Sequence, residues 1–310
     1  MTRRRGGLLA IGIGIVLLVA AGTVAGIWIW QTANRPPSAE ETARAYLQAL
    51  TVGDADAVVS TGVSVSDDAR AVFAGASAFI DDAAVVGVEE RGGSATADVS
   101  FRMGDRDRTA TLTLERRDGG WRLDSSALAL LDVRMSTGSA VVIGEVAVSA
   151  EKPLALLPAV YDVAAAPSAL LEGGTTAALL PGETTAVEID VEVRAAATDA
   201  AQDVLDEHLE TCTAEGDSAS DGGATPEGCG IRIPWGVDFR EVTDVAFRVE
   251  TLPTVSLTPT AFTAGGGVLV ATVDGTGHDG SARTITYRTE SWTVRGDVAF
   301  TTKGIELTVW

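Results

Sequence analysis

The chain has 310 residues, 46% of them hydrophobic, and carries 23 basic against 43 acidic side chains for a formal net charge of −20. That length allows a membrane anchor and two or three small domains. So acidic a surface repels polyanions, which excludes nucleic-acid binding as a function class. With only two cysteines and two histidines in the chain, metal sites and histidine-dependent catalysis have few candidate residues.

Charge is unevenly placed. The first thirty residues hold Arg3, Arg4 and Arg5 and no acid, so the remainder carries 20 basic and 43 acidic side chains. From Leu8 to Trp30 the sequence runs 23 residues without a charge. As a helix this run is about 35 Å long, enough to cross a hydrocarbon core of ~30 Å. The arginines before it place the N-terminus in the cytoplasm, and Trp28 and Trp30 fall where an outer interfacial belt belongs. A cleaved signal peptide is the rival reading, but its apolar region is shorter and a small-x-small cleavage site follows it. Expected here are a cytoplasmic tail over 1–6, an uncleaved transmembrane signal-anchor over 7–30 in contact with membrane lipid, and a linker over 31–37. Gly22 and Gly26 form a small-xxx-small pair of the kind that joins two such helices, which leaves a homodimer through the anchor open.

After the linker, Ser38 and Glu41 form a capping-box pattern, and Ala43, Tyr46, Leu47 and Leu50 repeat at helical spacing. "VGDADAVVSTG" breaks that helix and starts a second, and a third is expected from Asp68 to Ile80. From Ala83 the apolar period changes to two, in "AVVGVEE", "SATADVSFRM", "RTATLTLERR" and "GWRLD", with glycine-rich turns between. Helices followed by an antiparallel meander predict an α+β domain over 38–125. The run "SAEETARAYLQALTVGDADAV", the strands and the closing "RRDGGWRLD" resemble the cystatin-like cone of nuclear transport factor two-like domains, in particular extracytoplasmic forms anchored to bacterial membranes. The resemblance implies a fold rather than a chemistry. Family enzymes of the steroid-isomerase type use Asp and Tyr within the cone, whereas this region has one tyrosine, Tyr46, whose helical register places it in the core.

From 127 to 194 nearly every segment alternates or is wholly apolar, which predicts a β-rich module like a small sandwich. Its "LLPAVYDVAAAP" is similar to the Pro-x-x-Tyr-x-Val strand of spacer modules in envelope proteins. The rest, 195–310, repeats the first domain's order. A helix from about Thr198 to Thr211 comes first, then a loop, then five strands, giving a second α+β domain. The layout as a whole resembles the teicoplanin-resistance-associated membrane proteins, which carry in addition an N-terminal zinc ribbon.

His208 and Cys212 lie at i and i+4, and Cys229 follows after sixteen residues. A structural zinc site wants four ligands with short cysteine spacing, so metal is disfavoured. In an oxidising compartment two lone cysteines pair, and a Cys212–Cys229 disulfide is the expectation, ahead of free thiols. Other motifs are weaker. "SAEK", from Ser149 to Lys152, matches Ser-x-x-Lys but ends a strand pattern rather than starting a helix. Asp274, His278 and Asp279 sit in "DGTGHDGS", a hairpin tip. The carboxylate pairs at 67–68, 81–82 and 89–90 point to opposite faces of their elements. Trp235 in "IPWGVDF" is the candidate binding anchor.

No catalytic set, cofactor motif or metal site emerges. The function expected is therefore non-enzymatic: a membrane-anchored extracytoplasmic binding or scaffold protein of the bacterial envelope, holding another envelope protein or a cell-wall precursor. An enzyme using the first cone's cavity and a ligand-free spacer are the alternatives.

Overall fold

The computed structural model describes residues 36–215, 230–231, 233 and 235–310. Among them 53% lie in strands and 21% in helices, so the fold is mostly β and not the expected α+β. The expectation gave each expected helix the weight of a strand. Three of the four described α-helices have 14 residues or fewer, whereas the C-terminal strands run to 13, 17 and 20 residues.

Helix α1 (Ala39–Val52) starts at Ser38, whose Oγ accepts from the Glu41 amide while the Glu41 carboxylate accepts from the Ser38 amide. It stops at Gly53, whose φ of 72° a side chain would resist. Asp54 and Ser66 cap α2 (Ala55–Ser60) and α3 (Asp67–Ala74). α3 ends at Ala74, six residues short of the expected Ile80, because the segment after it is drawn into tertiary pairing. The amides of Ser77 and Ala78 donate to the Val160 carbonyl, and the Val160 amide donates to Ala78. Strands β1 (Asp81–Arg91), β2 (Ser94–Met103), β3 (Arg106–Arg117) and β4 (Gly120–Leu123) form an antiparallel meander in chain order. α1 packs on β1, β2 and β4. Its face of Ala43, Tyr46, Leu47 and Leu50 is buried with Val99, Phe101, Leu112, Leu114 and Trp121 of the sheet.

The second unit holds two facing sheets. β5 (Ala129–Met135) lies between β8 (Leu154–Leu156) and β12 (Thr184–Ile189), and its pairing with β12 is parallel. The other sheet runs β11 (Gly174–Ala178), β9 (Val160–Ala166), β6 (Ala140–Ile143), β7 (Val146–Ser149), all antiparallel. A two-residue ladder joins β10 (Leu171–Glu172) to β13 (Glu192–Val193). Leu131 of one sheet and Val141, Ile143, Tyr161 and Val163 of the other belong to one buried cluster.

In the third unit α4 (Ala195–Glu215) lies against a five-stranded sheet. β16 (Ala261–Gly277) pairs on one side with β14 (Phe239–Thr251) and β15 (Thr254–Leu257), and on the other with β17 (Ala282–Thr301), which pairs with β18 (Gly304–Val309). A single hydrophobic core runs from α1 to β18, with one satellite cluster at the far end of the third sheet. The units are joined by the Tyr46 hydroxyl, which donates to the Ala127 carbonyl, and by the Ser139 amide, which donates to the Phe300 carbonyl at 3.3 Å.

One further expectation finds no support among the described residues. No helix among the described residues is long and apolar enough to cross a membrane. The longest, α4, carries Asp199, Asp203, Asp206, Glu207 and Glu210 along its length, which no bilayer core would accept. The expected anchor at 7–30, with Arg3, Arg4, Arg5, Trp28 and Trp30, lies outside the described residues. Cys212 is buried on α4 and is disulfide-bonded, with Sγ 3.6 Å from His208 Nε2, while Cys229, its expected partner, lies outside the described residues.

Candidate binding surface

The surface is built on β14. α4 lies across β14, β15 and β18 with Ala197, Ala201, Leu205 and Leu209 turned into the core at spacings of four. Gln202 fixes its position: its side-chain amide donates to the Pro253 carbonyl at 3.0 Å and accepts from the Val255 amide at 2.8 Å. Near its C-terminal end the helix leaves a cleft of about 440 Å³ against the sheet. Glu210, Thr213 and Ala214 form the helix wall, and Phe247, Val249, Glu250 and Leu252 the strand wall. That volume is in the range of small-ligand and side-chain pockets.

Its two carboxylates differ. Glu250 is bound by Arg288 and, at 2.7 Å, by Arg248. The Arg288 hydrogen bond holds its carboxyl below the usual carboxylate range. Glu210 has no ion-pair partner among the described residues, and neither Lys nor Arg occurs anywhere on α4. A positive charge arriving at the cleft therefore meets one uncompensated carboxylate at the end of an all-acidic helix.

At the other end of β14 a 3₁₀ turn, Trp235–Val237, covers the satellite cluster of Phe239, Val242, Val245 and Val273. Trp235 packs half-buried on that cluster, so it is less exposed than an anchor read from sequence would be, and Val237 beside it is 79% exposed. The Tyr287 hydroxyl donates to Asp238 Oδ2 at 2.8 Å, and His278 Nε2 lies 3.3 Å from the Gly236 carbonyl oxygen. Phe247 touches both this cluster and the main core, which makes the apolar strip continuous from Trp235 to the cleft.

Desolvation, and then the bond to Asp238, push the Tyr287 phenol up to about 12. Burial pushes Tyr46 and Tyr161, the other two tyrosines, further above the ordinary value. Because the neutral phenol is the favoured form, the stabilisation from Tyr287 is complete below pH ~10, the unfolded value, and is lost as pH rises through about 12. Absorbance at 295 nm should accordingly show no phenolate in the folded chain below pH ~11, while all three tyrosines of the denatured chain titrate near pH ~10. A native phenolate signal at pH ~10 would contradict the packing described for all three.

The other sequence candidates are not brought into one place. Tyr46 is fully buried, and its hydroxyl is committed to Ala127, so it is a core tyrosine rather than a group lining an open cavity. Ser149 ends β7 and Lys152 is exposed after it, on no helix. Asp274 accepts from Thr284, and Asp279 caps the Ser281 amide and binds Arg283. No group of three metal-ligating side chains is found among the described residues. One expectation about carboxylates is corrected: Asp81 and Asp82 do not diverge but both hold Arg102, each at 2.9 Å. The irregular register between Asp81 and Ala84, with a φ of 48° at Asp82, turns them to the same side.

The cleft itself is not visible in sequence. The acids of α4 and the alternating "VAFRVET" of β14 can be read separately, but their meeting depends on where the helix crosses the sheet. No family model, no curated protein and no solved structure matches this chain.

Proposed function

We propose that this chain is a non-catalytic binding or scaffold protein of the bacterial cell envelope, working on the extracytoplasmic side of the cell membrane. Its α4–β14 cleft takes a basic, partly apolar segment of another envelope protein. One observation carries the reading: an apolar wall of Phe247, Val249 and Leu252 faces Glu210, which has no ion-pair partner among the described residues, on a helix with neither Lys nor Arg. On a molecule of net charge −20 such a site favours positively charged partners, through faster encounter and through the local pairing. The location is supported by the sequence alone, through the uncharged run of Leu8–Trp30 behind three arginines.

The test presents the full chain in detergent to purified peptidoglycan with its precursors, and in parallel to solubilised envelope proteins. Retention of a basic envelope protein, reduced by Glu210→Lys and by raised salt, is the expected result. Retention by the wall fraction alone would replace the protein partner by a cell-wall precursor. Retention by neither would overturn the binding function and favour a spacer.

A further inference from the structure

Among the described residues, the third sheet leaves one long edge unpaired. β17 pairs with β16 from Ala282 to Asp297, but on its other side β18 covers it only from Gly296 to Thr301. Among the described residues no other backbone hydrogen bond reaches that side before Arg295, which accepts from the Trp310 amide. Exposed edges present unpaired N–H and C=O groups to any extended chain, and proteins blunt them with bulges, prolines or charge. The outer strand β14 is interrupted by three register shifts and β1 by two. β17 is regular from Ala282 to Thr289, with no shift and no proline, and is irregular only beyond that, toward Trp292.

Charge does not protect this stretch. Arg283 is bound by Asp279 at 2.8 Å, and Arg288 by Glu250 and Glu290, so both edge cations are neutralised within their own chain. The two faces of the stretch differ. Ile285, Tyr287 and Thr289 are half-buried on the side of the satellite cluster, and Thr284, Thr286 and Arg288 are exposed on the other.

We propose that this edge is a self-association surface, on which a second copy of the chain adds its own residues 282–289 antiparallel across a twofold axis at Thr286. The register follows from the side chains. A shift of one residue would set Ile285 and Tyr287 against the partner's polar face. It would also place Arg283 opposite Arg288. With Thr286 on the axis, Ile285 faces the partner's Tyr287, Thr284 faces Arg288 and Arg283 faces Thr289. The apolar edge residues of both copies are then covered, and no like charges stand opposite. Such an interface is isologous and closes at two copies, joining the two three-stranded arms into one six-stranded sheet. It contains no segment of the N-terminal run.

The experiment is sedimentation of the full chain in detergent over a concentration series, with two cysteine variants and one arginine variant. The expected result is a monomer–dimer equilibrium that Thr286→Arg weakens at least tenfold, since it sets two guanidinium groups face to face. Thr286→Cys should give a reducible covalent dimer under mild oxidation, because opposed residues lie ~5 Å apart. Thr284→Cys should not, because in this register the two copies of residue 284 lie roughly 13 Å apart along the strands. Both positions are exposed, so circular dichroism of the variants should match the parent. A monomer throughout, a dimer indifferent to Thr286→Arg, or equal crosslinking at 284 and 286 would each overturn the proposal.

Discussion

Replacing Tyr46 by alanine is expected to cost about 3–5 kcal/mol of folding stability, as removal of a fully buried aromatic ring does. Tyr46 has no exposed surface, and it sits where α1 meets the start of the second unit. The ring fills the core between helix and meander, and its hydroxyl satisfies the Ala127 carbonyl in the 3₁₀ turn (Ser125–Ala127) that opens the second unit. Two separate losses are therefore combined. Tyr46→Phe isolates the second, leaving the Ala127 carbonyl without its partner, and should cost ~1–3 kcal/mol. Chemical denaturation followed by circular dichroism distinguishes them, provided the denaturant slope is unchanged. Equal stability of the alanine variant and the parent would mean that the two units do not share a core through this residue.

Gly296→Val is expected to be of comparable severity, for a different reason. Gly296 lies where β17 is paired on both sides, with Phe262 of β16 and with Val309 of β18. A Cβ there would stand 2.0 Å from the Thr308 carbonyl oxygen and 2.7 Å from the Phe262 ring. The oxygen belongs to backbone and cannot turn aside as a side chain would, so the strands must part. Overpacking commonly costs ~1–3 kcal/mol, and here the loss of β18 pairing adds to it. Hydrogen exchange should show Gly304–Val309 losing protection, together with the part of α4 that rests on β18. If that protection survives, then β18 is not held through the pairing at Gly296.

Local elements were legible where the physics is local. The capping box at Ser38, the apolar stripe of α1 and the period-two runs of β2 and β3 need no partner to be read. α3 was overestimated at its C-terminal end because the carbonyl that captures Ser77 and Ala78 belongs to Val160, over eighty residues away. The balance of helix and strand was misjudged for a related reason. The number of elements can be counted from turns, but the lengths of β14, β16 and β17 depend on how far they continue to pair. At the candidate surface, Trp235 was singled out from its local stretch, yet its side chain is partly used in packing on the satellite cluster. The cleft residues Glu210, Phe247 and Leu252 carry no motif, since each is ordinary in its own element and acquires meaning only from the crossing of α4 over β14.

The central claim is that a partner is held at the end of α4. It is tested most directly by photo-crosslinking from inside the cleft. A photoreactive amino acid in place of Ala214, which lines the cleft and is exposed, would be introduced into the full chain in cells that express it. The same group in place of the exposed Thr109 on β3 serves as the reference. The account predicts a discrete adduct with a basic envelope protein from position 214 and none from 109. No adduct from 214, or the same adducts from both positions, would contradict it.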